Sequence, residues 1–208
     1  MLIEGCAKKG RILLAHGAGA PMDSPFMNQM ASALSAGDVE VIRFEFPYMQ
    51  QRRIDSKRRP PDRQPKLLAY FSELIETYRD DHQPLWLAGK SMGGRMATML
   101  ADHEAVAGCF VYGYPFYAAG KQDAPRIEHL QCAVKPIHIF QGTRDAMGRK
   151  ELVDGYSLAP SVVLHWLEDG DHDLKPRKMS GITQDEHMAN AVESTLAIIN
   201  HYHRGTIL

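Results

Sequence analysis

The chain has 208 residues, 44% of them hydrophobic and 24% charged, with a formal charge of −1 at pH 7. That length suits a single domain with a core of ordinary size, and the near-neutral balance argues against a nucleic-acid or membrane partner. The three cysteines, Cys6, Cys109 and Cys132, have neither metal spacing nor the even number of a disulfide framework. No run reaches transmembrane length and the amino terminus lacks an apolar leader, so a reduced, cytoplasmic setting is expected.

Short apolar runs alternate with helical stretches along the chain. Arg11 to His16 reads as a buried strand that ends in Gly17-Ala18-Gly19-Ala20, and a helix follows over roughly Pro25 to Ala36. Val39 to Phe46 alternates apolar and polar residues, which suits an edge strand with one wet face. Pro47 ends that strand, and Gln50 to Gln64 is polar and reads as irregular. From Pro65 to Tyr78, Leu67, Leu68, Phe71, Leu74, Ile75 and Tyr78 share one helical face, with Pro65 in the first turn.

Four further strands follow, and each introduces a loop of interest. Leu85 to Ala88 leads into a helix that begins near Gly94. Val106 to Tyr112, Ile137 to Gln141 and Val162 to Leu167 complete a set of six. The last helix opens on Thr183-Gln184-Asp185-Glu186, a capping box, and carries the stripe Met188, Val192, Leu196 and Ile199. Strands alternating with helices predict an α/β fold: a doubly wound, mostly parallel six-stranded sheet with helices on both faces. Ligands of such sheets bind beyond the carboxyl ends of the strands.

The residues Gly89-Lys90-Ser91-Met92-Gly93 sit between a strand and a helix, which is the context that gives G-x-S-x-G its meaning. The small residues on either side of Ser91 let strand and helix backbones nearly touch. A serine hydroxyl is a weak nucleophile at neutral pH and needs a base, which in turn needs an orienting acid. Of ten histidines, His172 is best placed, in a glycine-containing turn just after the sixth strand. Asp145 directly follows the fifth strand and is the first candidate acid; Asp123, after the fourth, is the second. Acyl transfer also needs N–H donors for a developing oxyanion. Met92, at a helix amino terminus, and Ala18, in the glycine-rich loop after the first strand, are the candidates. His16 is read as fixing that loop by hydrogen bonds.

Ser91, Asp145 and His172, with His16-Gly17-Ala18-Gly19 upstream, resemble the α/β-hydrolase superfamily. The compact form is similar to lidless serine hydrolases of the dienelactone-hydrolase-like and carboxylesterase type. The serine departs from dienelactone hydrolases themselves, which use a cysteine nucleophile. Phe46-Pro47-Tyr48-Met49, Arg58-Arg59-Pro60-Pro61-Asp62 and Gly89 to Arg95 also resemble a branch that includes testis-expressed proteins and a non-catalytic subunit of a chromatin-modifying complex. The resemblance implies hydrolysis of a small ester or thioester through an acyl-enzyme, with neither cofactor nor metal. A peptidase of the same fold is one alternative. The other is a silent relative that docks through its basic segment.

That segment, residues 52–66, holds seven cations against Asp55 and Asp62, a local charge of +5 in a chain of −1. It reads either as recognition of an anion, with Arg58 and Arg59 foremost, or as a solvated charged face. Tyr48, Tyr114, Phe116, Tyr117 and Met147 follow strands and are candidates to line an acyl pocket or to pack its rim.

Overall fold

Side chains along a strand alternate between the two faces of a sheet, and here both faces are apolar. A computed structural model describes residues 1–118 and 120–205. Its strands are β1 (Leu2–Glu4), β2 (Arg11–Ala15), β3 (Glu40–Phe44), β4 (Leu85–Lys90), β5 (Val106–Tyr112), β6 (Ile137–Gly142) and β7 (Val162–Leu167). Its helices are α1 (Pro25–Ser35), α2 (Pro47–Asp55), α3 (Gln64–Tyr78), α4 (Met92–Met99), α5 (Lys150–Val153) and α6 (Gln184–Gly205). The sheet order is β1-β3-β2-β4-β5-β6-β7. All neighbours are parallel except β1 on β3.

The core is accordingly double. Leu13, Leu87, Cys109, Val111 and Ile139 pack on one face with α3 and α4. Ile12, Leu14, Trp86, Phe110 and Phe140 pack on the other with α1 and α6. Complete burial of a large apolar side chain contributes about 1.5–3 kcal/mol. β2 and β4 lie at the centre of the sheet, buried on both faces. The expected capping box is present at the start of α6: Thr183 Oγ1 accepts from the Glu186 N–H at 3.2 Å, and Glu186 Oε2 accepts from the Thr183 N–H at 2.7 Å.

Three expectations are corrected. The sheet has seven strands, not six. β1 is three residues long and largely exposed, too short to show periodicity. Because β1 pairs with β3, β3 is interior and not the edge that its alternation suggested. Its polar residue Arg43 is only 5% exposed, and is held by the Met22 carbonyl at 2.9 Å and by Glu4. Finally, Gln50 to Gln64 is not irregular throughout. Pro47 both ends the strand and starts α2, where its fixed φ suits the first helical position. Ser56, at φ 56°, closes that helix by donating its N–H to the Arg52 carbonyl at 2.9 Å. Only Tyr48 and Met49 of α2 are buried, so the helix lacks the apolar stripe by which helices are recognised.

The β4–α4 crossing is a very close approach at the sheet's carboxyl edge. A Cβ on Gly89 would lie 2.4 Å from the backbone of Gly93 and Gly94, and one on Gly93 would lie 2.5 Å from the His16 carbonyl oxygen. These neighbours are backbone and cannot rotate away. Gly89→Ala is expected to cost about 2 kcal/mol or more, the upper range for overpacking. Urea denaturation checks this; a change within about 0.5 kcal/mol, the range of a neutral surface substitution, would mean that the two backbones can separate freely.

Candidate active site

Ser91 sits between β4 and α4 with φ 51° and ψ −116°, a conformation that L side chains rarely adopt. Its N–H donates to the Tyr112 carbonyl at 3.3 Å, and its carbonyl accepts the first helical bond from Arg95 at 2.9 Å. The loop after β7 brings His172 to it. His172 Nε2 lies 2.7 Å from Ser91 Oγ, and Nδ1 lies 2.7 Å from Asp145 Oδ2. A carboxylate at Nδ1 requires the N–H there, which leaves Nε2 as the acceptor for the serine hydroxyl. The three residues foremost in the sequence reading thus form one hydrogen-bonded chain. Asp123 is exposed in the loop after β5, and it is Asp145 that bonds His172.

Asp145 is fully buried, and its carboxylate is held on both oxygens. Oδ1 accepts the Met147 N–H at 2.8 Å, and Oδ2 accepts from Gln141 Nε2 at 2.7 Å as well as from His172. Gln141 also accepts the Tyr114 N–H at 2.7 Å through Oε1. Sequence reasoning did not single it out, because the complete burial of this amide at the end of β6 appears only in the fold. Lys90 is a second such residue. Its ammonium donates to the His172 carbonyl and pairs with Asp173 at 3.1 Å, tying the serine strand to the histidine loop. Burial pushes this ammonium below the usual lysine range, against the pull of Asp173, Asp145 and Asp171. The same loop is secured by Asp169, whose carboxyl is held well below its usual range by Arg177 and Arg144. His187 of α6 donates from Nδ1 to the Leu174 carbonyl at 2.8 Å.

The loop after β2 forms the opposite wall. His16 donates from Nδ1 to the Gly17 carbonyl at 2.6 Å and accepts the Phe46 N–H at Nε2 at 3.1 Å. The Tyr48 hydroxyl donates to the Ala18 carbonyl at 3.0 Å. A trans peptide points its C=O and the following N–H in opposite directions. With the Gly17 carbonyl drawn to His16, the Ala18 N–H faces away from that imidazole. Met92 is the first residue of α4, so its N–H has no partner within the helix. Ala18 and Met92 line, with Ser91, a cavity of about 290 Å³.

The remaining candidates are distributed differently. Met147 lines that cavity, whereas Tyr48 and Tyr114 do not. Both tyrosines are buried: Tyr48 supports the Ala18 loop, and the Tyr114 hydroxyl donates to the Arg126 carbonyl at 2.7 Å. Phe116 and Tyr117 are core residues. Arg58 and Arg59 line a neighbouring groove of about 390 Å³ that also includes Ala18. Among the described residues no group of three or more His, Cys, Asp or Glu is placed to hold a metal ion, and no helix is long and apolar enough to cross a membrane.

With fold and site in view, the comparisons are consistent. A family model described as the alpha/beta hydrolase domain matches residues 8–200, and the chain belongs to that family. Among solved structures it is similar to a dienelactone hydrolase from Anabaena variabilis, at 18% identity and a TM-score of 0.71, over 96% of this chain and 89% of that one. It is also similar to an alpha-beta serine hydrolase homologue from Coxiella burnetii, at 17% identity and 0.63, over 95% and 88%. An esterase domain from Rhodothermus marinus matches at 16% identity and 0.64, over 94% and 89%. At these identities the likeness is one of fold.

Burial pushes the His16 imidazole below its usual range, and its two bonds specify the neutral form with hydrogen on Nδ1. Nitrogen-resolved NMR is expected to find that tautomer at pH 7 and still neutral at about pH 6.5, the unperturbed histidine value. The unfolded chain therefore takes the proton first. Stability is complete above that value and falls as pH drops below it toward the folded pKa. His129 and His138, pushed by burial to about 4, steepen the same slope. His16→Gln should remove a share of it, and an unaltered slope would contradict the assignment.

Proposed function

We propose that the protein is a serine hydrolase that cleaves a small ester or thioester through an acyl-enzyme. The observation that carries this reading is His172 bridging Ser91 Oγ and a fully buried Asp145, each at 2.7 Å. Ser91 Oγ attacks the substrate carbonyl as its proton passes to His172 Nε2. Asp145 stabilises the imidazolium so formed and holds the ring in orientation. The carbonyl oxygen becomes an oxyanion held by the N–H groups of Met92 and Ala18, the former favoured by the positive end of α4. The tetrahedral adduct then collapses. Its alcohol or thiol leaves with the proton from His172, and the acyl group stays on Ser91. Water repeats the sequence, giving its proton to His172 and releasing the acid. The scheme uses no metal or cofactor.

A fluorophosphonate probe tests this without knowledge of the substrate. Wild type is expected to be modified at Ser91 alone, and Ser91→Ala to lose both labelling and hydrolysis of a short-chain p-nitrophenyl ester. Unchanged turnover in Ser91→Ala would sink the assignment. A wild type neither labelled nor active across an ester panel would favour a protein that keeps the fold for docking.

The acid is tested separately. Asp145→Asn is expected to lower kcat by about 10⁴, since the imidazole would lose its orienting carboxylate. Asp123→Asn should remain near wild type. The reverse ranking, with both variants shown by circular dichroism to be folded, would move the acid to Asp123.

A further inference from the structure

Two arginines that were not among the candidate site residues line the cavity that holds Ser91: Arg95 and Arg126. Neither has a carboxylate partner among the described residues. Arg95 donates from Nη2 to Gln64 Oε1 at 2.9 Å, while its Nε is buried with no acceptor. The Arg126 guanidinium makes no hydrogen bond or ion pair among the described residues. Burial and the nearby Arg95 charge draw it below the usual arginine range. One carboxylate does line the cavity, but Asp62 is engaged by Lys66 Nζ at 2.9 Å and by the Tyr48 N–H at 3.1 Å. Two like charges that share a partly desolvated cavity, neither of them paired with its one carboxylate, repel one another until an anion enters.

The adjoining groove adds to this field. It shares Ala18 with the cavity and is lined by Arg52, Arg58 and Arg59. Arg59 is committed to Asp55 by bonds of 3.0 and 2.6 Å. Arg52 and Arg58 form no ion pair among the described residues. The loop from which anion recognition was expected therefore supplies an outer field, while the groups beside Ser91 come from α4 and the loop after β5. Arg95 stands in the first turn of α4, where its N–H donates to the Ser91 carbonyl at 2.9 Å.

On the basis of the hydrolase reading above, we propose that the substrate is bifunctional: besides its scissile acyl group it carries, within the same cavity of about 290 Å³, an oxyanion gripped by Arg95 and Arg126. A carboxylate and a phosphate share this chemistry, since the planar guanidinium fork accepts either in two parallel N–H···O bonds. A purely structural part for Arg95, holding α4 to Gln64 of α3, would favour no charge on the substrate.

The test pairs p-nitrophenyl hydrogen glutarate, which ends in a free carboxylate, with its methyl ester, which is nearly the same length and neutral. Wild type is expected to prefer the charged ester in kcat/KM by about tenfold or more, the effect of a charge-assisted hydrogen bond. Added salt should shrink the preference only in part, because the cavity is shielded. Arg95→Gln and Arg126→Gln should each collapse the charged-to-neutral ratio, and Arg126→Lys should restore part of it. A ratio near one in an active wild type, or a ratio that survives both glutamine variants, overturns the proposal. A wild type inactive on both esters would refute the hydrolase reading instead. Calorimetric titration of Ser91→Ala then decides the anion site by itself. Saturable binding of glutarate or inorganic phosphate that Arg126→Gln abolishes supports it, and the tighter of the two identifies the anion. Binding of neither anion overturns it.

Discussion

The near-contact of β4 and α4 is the constraint on which the site depends. A strand that passes directly into a helix must reverse its backbone within one residue, and Ser91 takes that burden at φ 51° and ψ −116°. Such a conformation costs on the order of 1–3 kcal/mol. It persists because both flanking elements are fixed. β4 is buried along its whole length between β2 and β5, and the backbone of Gly93 lies against the carbonyls of Ala15 and His16. The strain is offset by burial elsewhere in the sheet. Its consequence is geometric: the Ser91 hydroxyl projects beyond the carboxyl edge, where the loops after β2, β6 and β7 converge.

Those loops are held by polar contacts of unusual density. On one side Asp145 holds His172, with Lys90 and Asp173 tying the histidine loop to the serine strand. On the other side Arg95 and Arg126 face the cavity without carboxylate partners, and Arg52 and Arg58 extend the positive charge outward. Ser91 thus lies between the carboxylate that holds His172 and a run of arginines, in a chain whose net charge is only −1. Net charge conceals this arrangement, because it sums what the fold separates. In the proposed reaction the basic side would hold an anionic substrate end.

Much of this was legible in the sequence because it is local. A serine flanked by glycines between an apolar run and a helical stretch specifies a sharp turn through backbone sterics alone. The order Ser91, Asp145, His172, each just after a strand, follows from the rule that parallel sheets present their loops at the carboxyl edge. The Thr183–Glu186 box is likewise a matter of a few adjacent residues. The edge assignment of β3 failed for a different reason. Its alternation is real, but β1 covers it, and Arg43 is buried through partners at Glu4 and Met22 that lie outside any local window.

By itself, then, the sequence determined the α/β alternation, the serine turn and the chain order of the hydrogen-bonded residues. Each depends on backbone geometry over a few positions. Only the tertiary structure decided what surrounds them. Gln141 could not be read as the support of Asp145, because its role depends on where β6 ends relative to Tyr114 and Gly148. Tyr48 and Tyr114 proved to be supports rather than cavity walls, because burial is set by the elements packed over a side chain. Arg95 and Arg126 lie far apart in sequence, with β5 between them. They share one cavity because α4 and the loop after β5 meet over Ser91, and that encounter is a property of long-range packing.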